Sequence, residues 1–448
     1  MLTPTVVVGL LAALGSGAAV QQRATKNKPV FAHYMIGQIN PSETQTDIDN
    51  AATLGIDGFA LNFDQFQDWS MNTVKDMFDY ADKKDFKLFF SFDHNGALVK
   101  PQNYENYLAD HVNRKSYFKI DGRPLVSTFG GEKVTNDEWA RLKGVVDPVA
   151  GKKTLLIPGF YRDVSPANVF TTRSNIDGVF NWNSWQDTNQ GKQPVSIAND
   201  QAYMTKAHDS GRLFMMGISP LQYKNMNAGN NWYRRGEENL EIRLGQALSL
   251  QPDMLQFQSW NDAGESHYMG NVWQTPMSTS PEIQELVKDR PHTAYWPIMK
   301  AFIKVWKNGE TTTDNMVPAN GKPVEGAFWH HTLTVDASCG TDKQPKSADI
   351  KKAAEDVVTA ILMVAKGQTN LKAVVNVGGV QLDAVKSLKP GYNALKFSGD
   401  SFKKGGKVQL EVWDGSTMVG GGYGAISVST SATGKACNYN FQVVAVPS

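Results

Sequence analysis

The sequence predicts a (β/α)8 barrel (an α/β TIM barrel) followed by a smaller C-terminal antiparallel β-sandwich domain. Three observations predict it. Eight short apolar runs alternate with amphipathic stretches between Val30 and Trp306, a polar segment rich in turn formers follows, and the remaining chain is β-branched, alternating and punctuated by glycine. With 448 residues the chain exceeds one typical domain of about 100 to 200 residues but accommodates a barrel of about 250 plus a smaller unit.

The apolar runs are Val30 to Ile36, Gly58 to Phe63, Phe86 to Phe92, Pro124 to Phe129, Thr154 to Phe160, Gly178 to Trp182, Leu213 to Ile218 and Met254 to Trp260. Helical stretches separate most of them, among them SMNTVKDMFDYADKK, TNDEWARLKGVV, SIANDQAYMTKAHDSG and EENLEIRLGQALSL, several opening on a capping Ser or Thr. Alternating β and α units imply a parallel sheet, and eight of them imply its closure. An open doubly wound sheet is disfavoured because no GxGxxG turn follows an early strand, and GGGYG at Gly420 to Gly424 has no following helix. The expected barrel spans residues 20–306, the segment KNGETTTDNMVPANGKP (307–323) is a linker, and residues 324–448 form the sandwich. AEDVVTAILMVAK fits helix and strand equally.

Residues 1–19 read as a secretory leader, with the apolar run Val6 to Leu14 followed by Gly15, Ser16, Gly17, Ala18 and Ala19. That run is half the length a bilayer span requires, so a secreted, extracellular or wall-located protein is expected rather than a membrane protein. Cys339 and Cys437 are the two cysteines, and an oxidising compartment lets them pair. Lys plus Arg total 45 against 44 Asp plus Glu, so no long-range field attracts nucleic acid or an acidic membrane. A neutral partner and a monomer are expected.

Strand register sorts the candidate functional residues, because alternate strand residues face the pore and the reactive groups of a barrel gather at the strands' C-terminal ends. Asn62 and Asp64 continue one face of GFALNFDQF; Asp93 continues another in KLFFSFDHN, with His94 and Asn95 next. In MLQFQSWNDAGESHY, Gln256, Gln258, Trp260 and Asp262 are read as one face, with Glu265 three residues on and His267 after it. Two carboxylates on one short turn experience unlike surroundings, which drives their pKa values apart and suits acid and base roles in glycoside hydrolysis. The Gly264 step is expected to open room for a water between them. The same turn also reads as a helix start whose acids bond backbone N–H groups, and Asp64 and Asp93 also read as turn caps. Tyr161, Asn181, Trp182 and Asn183 end further strands and supply flat faces and amides suited to a sugar. His33 and His94 are read as substrate contacts or as structural histidines. No cofactor is expected, and no metal, since HExxH and CxxC are missing and His330 and His331 fall in the β domain. No GxSxG elbow is present either.

These segments, FAHYMIG from Phe31, DGFALNFD from Asp57, SFDHN from Ser91 and SWNDAGESHY from Ser259, resemble glycoside hydrolase family 71 over essentially the whole barrel. The resemblance implies a fungal endo-α-1,3-glucanase, or mutanase, in which water attacks α-1,3-glucan with inversion. It implies that the WNDxGES stretch carries the pair, Glu265 as general acid and Asp262 as general base, with Asp64 as the alternative holder of the water. A chitinase-like DGxDxDxE strand fails because Ala60 and Asn62 stand where it needs acids. An inert glucan-binding wall protein is the rival from another class; retention of both Asp262 and Glu265 argues against it.

Overall fold

The computed structural model describes residues 28–161, 164–226, 229–339, 347–432 and 436–447. The leader expected at residues 1–19 lies outside them. All eight expected strands form: β1 (Val30–Met35), β2 (Gly58–Phe63), β3 (Lys87–Asp93), β4 (Arg123–Phe129), β5 (Leu155–Phe160), β6 (Gly178–Asn181), β7 (Leu213–Ile218) and β8 (Met254–Phe257). Each is parallel to its neighbours in chain order, β8 pairs back onto β1, and the Ser91–Ser127 register joins β3 to β4, so the sheet closes. Because helices cover its outside, these strands are buried on both faces, which is why they read as continuous apolar runs.

The helices anticipated from periodicity form at Asp68–Ala81, Asn136–Ala150, Ala198–Asp209 and Asn239–Leu250. Thr135 starts the second of these with a capping box: its hydroxyl accepts from the Glu138 N–H at 3.2 Å, and Glu138 returns the bond to the Thr135 N–H at 2.9 Å. Inside the barrel, Phe31 packs edge-on against Phe89 and Phe118, each at 4.8 Å, which closes the lower end. Toward the upper end the inner face turns polar, with Ser91, Ser127, His33, Asn62 and Gln256 all buried.

The C-terminal region holds two antiparallel sheets, one ordered Gly391–Ser398, Val357–Val364, Val324–His330, Gln442–Val446, the other centred on Leu371–Val377, Val408–Asp414 and Thr417–Tyr423. Their facing residues, including Phe328, Leu362, Val375 and Leu410, form a separate core. The opposite face of the first sheet, through Ala327, Trp329, Ile361 and Val443, joins the barrel's own core. The ambiguous AEDVVTAILMVAK is therefore a strand, Val357–Val364, buried at every position. The connecting segment before it is anchored too, since Met316 is fully buried.

Cys339 and Cys437 are bonded, with Cα atoms 5.5 Å apart and a separation of 98 positions in sequence. Replacing both by Ser is expected to lower unfolding free energy by roughly 2 to 5 kcal/mol through loss of a long-loop cross-link. Urea unfolding of the double variant checks this, and an unchanged midpoint would refute it.

Candidate active site

Past Phe257 the β8 chain leaves the sheet and folds back on itself. The Ser259 N–H bonds the His267 carbonyl at 2.7 Å, the Met269 N–H bonds the Ser259 carbonyl at 2.9 Å, and the Gly270 N–H bonds the Trp260 carbonyl at 2.7 Å. This closed loop carries Asp262, Glu265 and His267. A short turn builds it from within: the Asp262 N–H bonds the Ser259 hydroxyl at 2.8 Å, and the Glu265 N–H bonds Asp262 Oδ1 at 3.1 Å.

The register extrapolated for Trp260 does not survive the fold-back. Trp260 is fully buried and points outward, 5.3 Å from Phe59 and 6.0 Å from Trp296 of the helix Trp296–Lys307. It is a packing residue of the helical layer, not a wall of the mouth. Gln258, still in register, lies against Gly217 of the neighbouring strand β7, where any side chain would overlap the Gln258 amide oxygen. Its Nε2 donates to the Trp182 carbonyl at 3.0 Å.

The two carboxylates converge on one imidazole. His267 Nε2–H donates to Asp262 Oδ2 at 2.9 Å and lies 3.5 Å from Glu265 Oε2. One oxygen of each acid and the ring nitrogen all fall within 4.8 Å of one another. One oxygen of each acid thus approaches the other more closely than the about 6.5 to 9.5 Å at which the carboxyls of an inverting pair stand, so the room for water expected from Gly264 is narrowed on that side. The cause is local, since the Glu265 N–H grips Asp262 and the ring draws both carboxylates in. The His267 side chain has no exposure, whereas Asp262 and Glu265 keep 16% and 27%.

Electrostatics follow from that geometry. Burial disfavours charge on His267, but Asp262 and then Glu265 outweigh it and push its pKa up to about 9. Burial likewise opposes ionisation of Asp262, but the His267 charge and hydrogen bonds from that ring and the Glu265 N–H hold it below the ordinary carboxylate range. Asp262 is therefore an anion beside an imidazolium. The same three side chains are the set of donors among the described residues close enough to share a cation. While Nε2 carries the proton given to Asp262, it has no lone pair for a metal.

Opposite this loop, Asn62 Nδ2 donates to Asp93 Oδ2 at 3.3 Å, and the Asn95 N–H donates to Asp93 Oδ1 at 2.8 Å. The Tyr161 hydroxyl donates to Asn95 Oδ1 at 2.9 Å, and Asn183 Nδ2 donates to the Tyr161 carbonyl at 3.0 Å. Phe129 stacks on Tyr161 at 4.9 Å and meets Trp182 at 4.5 Å; Trp182 stands 6.5 Å from His267. An unbroken series of contacts thus links the ends of β2 to β6 to the Asp262 loop. Asp64 is half-buried and its pKa is raised by that burial; burial raises Asp93 as well, with the charge of Asp64 adding to it.

The two early histidines sit deeper. His33 is buried beneath the mouth, 4.8 Å from Trp182, and burial, then the His267 charge, brings its pKa to about 3. His94 leans into the helical layer with Nε2 3.0 Å from the Tyr104 hydroxyl and its ring 5.9 Å from Trp139; burial lowers it to about 4. Asn181 donates to Asp200 at 2.8 Å, and Asp200 pairs with the fully buried Arg243 at 2.6 Å, a structural network behind β6.

Two contributors had no sequence signal. Gln222, on a hairpin (Gln222–Lys224 with Trp232–Arg234) that follows β7, donates Nε2–H to Glu265 Oε2 at 2.6 Å. Trp185 places its ring 5.3 Å from His267, edge to face.

A closed barrel whose C-terminal mouth gathers carboxylates, amides and aromatic faces around one imidazolium is the layout of a glycoside hydrolase. The chain belongs to glycosyl hydrolase family 71, whose family model matches residues 26–448. It is 31% identical over 296 residues to the glucan endo-1,3-alpha-glucosidase agn1 of Schizosaccharomyces pombe, a match covering 63% of this chain and 67% of that protein. It is 25% identical over 438 residues to the ascus wall endo-1,3-alpha-glucanase of the same yeast, covering 93% and 97%. It is also 26% identical over 433 residues to the mutanase Pc12g07500 of Penicillium rubens, covering 94% and 88%.

Proposed function

We propose that this chain is a secreted fungal endo-hydrolase of α-1,3-glucan that acts as a monomer and with inversion, on wall or mutan polysaccharide. The activities named for its relatives support the substrate. No helix among the described residues is long and apolar enough to cross a membrane. The proposed division is a leader at 1–19, a catalytic barrel at 20–306, a linker at 307–323 and a β-sandwich at 324–448.

The observation that carries the catalytic reading is the Asp262–His267–Glu265 cluster at the barrel mouth. In this reading Glu265 gives its proton to the glycosidic oxygen as the bond to the anomeric carbon breaks. A water forms the new bond from the opposite face and passes its proton to a carboxylate. Asp262, kept anionic by His267, is the base assigned from the sequence. The short Asp262–Glu265 separation favours a second assignment, in which Asp64 receives that proton from across the mouth and Asp262 with His267 fixes the Glu265 loop. Asn62, Asp93, Tyr161, Trp182 and Asn183 contact substrate in either case, while His33 and His94 support the mouth from below and behind.

Stereochemistry tests the mechanism. Proton NMR of fresh digests is expected to show the β-anomer first, because water enters opposite the departing α-linked chain. The α-anomer appearing first would mean retention. Asp64→Asn and Asp262→Asn separate the two bases: the variant lacking the true base loses turnover that added azide restores as a β-glycosyl azide.

A further inference from the structure

We infer that Cys437–Phe441, in the C-terminal β domain, is a working part of the catalytic centre: a clamp that positions the Glu265 loop from two sides. On one side the Cys437 carbonyl accepts from the Tyr223 hydroxyl at 2.8 Å and from Asn225 Nδ2 at 2.7 Å. Tyr223 belongs to the hairpin strand that bears Gln222, and its own N–H bonds the Glu265 carbonyl at 2.8 Å while Gln222 holds the Glu265 side chain. Glu265 is thus gripped at main chain and side chain by two consecutive residues whose strand is moored to Cys437.

On the other side Asn440 Nδ2 donates to the Tyr268 hydroxyl at 3.0 Å, and Tyr268 directly follows His267. The Tyr268 ring stacks on His292 at 4.0 Å, and His292 Nε2 lies 3.2 Å from the Phe441 carbonyl. The clamp itself is fixed. Cys437 is buried and tied to Cys339, the Tyr439 hydroxyl donates to the Thr334 carbonyl at 3.0 Å, and Asn438 Nδ2 donates to the Leu286 carbonyl at 3.0 Å. A segment that served only to bind polysaccharide away from the mouth would have no reason to bond both shoulders of the loop that carries the acids.

This inference rests on Glu265 being the proton donor, and the experiment separates the two. Tyr223→Phe keeps the ring and removes one bond to Cys437; Tyr223→Phe with Asn225→Ala removes both. Each is assayed on a soluble α-1,3-glucan oligosaccharide and on the matching α-glycosyl fluoride, whose fluoride leaves without a proton. On the oligosaccharide the double variant is expected to lose roughly 10- to 100-fold in kcat, with KM changed less than about twofold, the scale of a misplaced reacting group. The fluoride rate is expected to stay within about twofold of the parent, and Tyr223→Phe alone to show a smaller loss of the same pattern. A parallel fall on both substrates would reduce the segment to a structural prop, and undiminished oligosaccharide turnover would remove the inference altogether. Should Glu265→Gln keep glucan activity, the proton-donor assignment fails, whatever the clamp variants do.

Discussion

Glu265→Gln is expected to cut the release of reducing sugar from insoluble α-1,3-glucan by about 10²- to 10⁴-fold, the usual worth of a positioned general acid. Gln keeps the shape of the side chain and loses the proton that the leaving oxygen needs. Folding should be intact, because Glu265 is partly exposed and its backbone bonds, the N–H to Asp262 and the carbonyl to Tyr223, do not involve the carboxyl. The paired measurements are initial rates and thermal midpoints. Full activity with an unchanged midpoint would refute the assigned acid, and the remaining carboxylates of the mouth, Asp64 first, would take its place.

His267→Gln is expected to change how stability depends on pH. The His267 pKa is raised from an ordinary 6.5 to about 9 by its two carboxylates. A group whose folded pKa lies above its unfolded value stabilises the fold fully below about 6.5, and that contribution is lost as pH rises through about 9. The shift corresponds to something on the order of 3 kcal/mol at low pH. The parent should therefore lose thermal stability between about pH 6.5 and 9, and the variant should lack that fall. The gap between their midpoints is expected to be widest near pH 6 and to close toward pH 10. A gap constant across this range would show that the imidazole is not charged against Asp262. Turnover should fall by about 100-fold in the variant as well, because the acids lose the group that draws them together.

The barrel was legible in the sequence for a physical reason. Parallel strands covered on both faces are apolar throughout, and most were followed by a helix with a readable period, as at Thr135 and its capping box. Val357–Val364 resisted the same reading because burial on both sides erases the two-residue alternation that marks a half-solvated strand. The register argument placed Asn62 and Asp93 together at the mouth, since both stand within or at the end of a paired strand. It failed for Trp260, three residues beyond the last paired residue of β8, where hydrogen bonds within the loop replace the sheet in aiming side chains. The Asp262–Glu265 spacing was out of reach for a related reason: one backbone bond and one imidazole set it, and sequence separation does not. Gln222 left no trace because its contact with Glu265 spans 43 positions through a hairpin held by another part of the chain.

The first sheet of the C-terminal region is covered over most of both faces: one side closes the sandwich core, and the other packs on the barrel and meets water only toward its edge strands, at Ala394 and Ala445. Such a sheet cannot be traded between genes as a cassette, because removing it strips an apolar wall from each partner at once. Barrel and sandwich in this lineage should accordingly have diverged in step, each substitution at Trp329 or Ile361 answered by one across the seam. Grafting a foreign carbohydrate-binding module in its place would demand redesign of both surfaces, whereas adding one beyond Val446 would not.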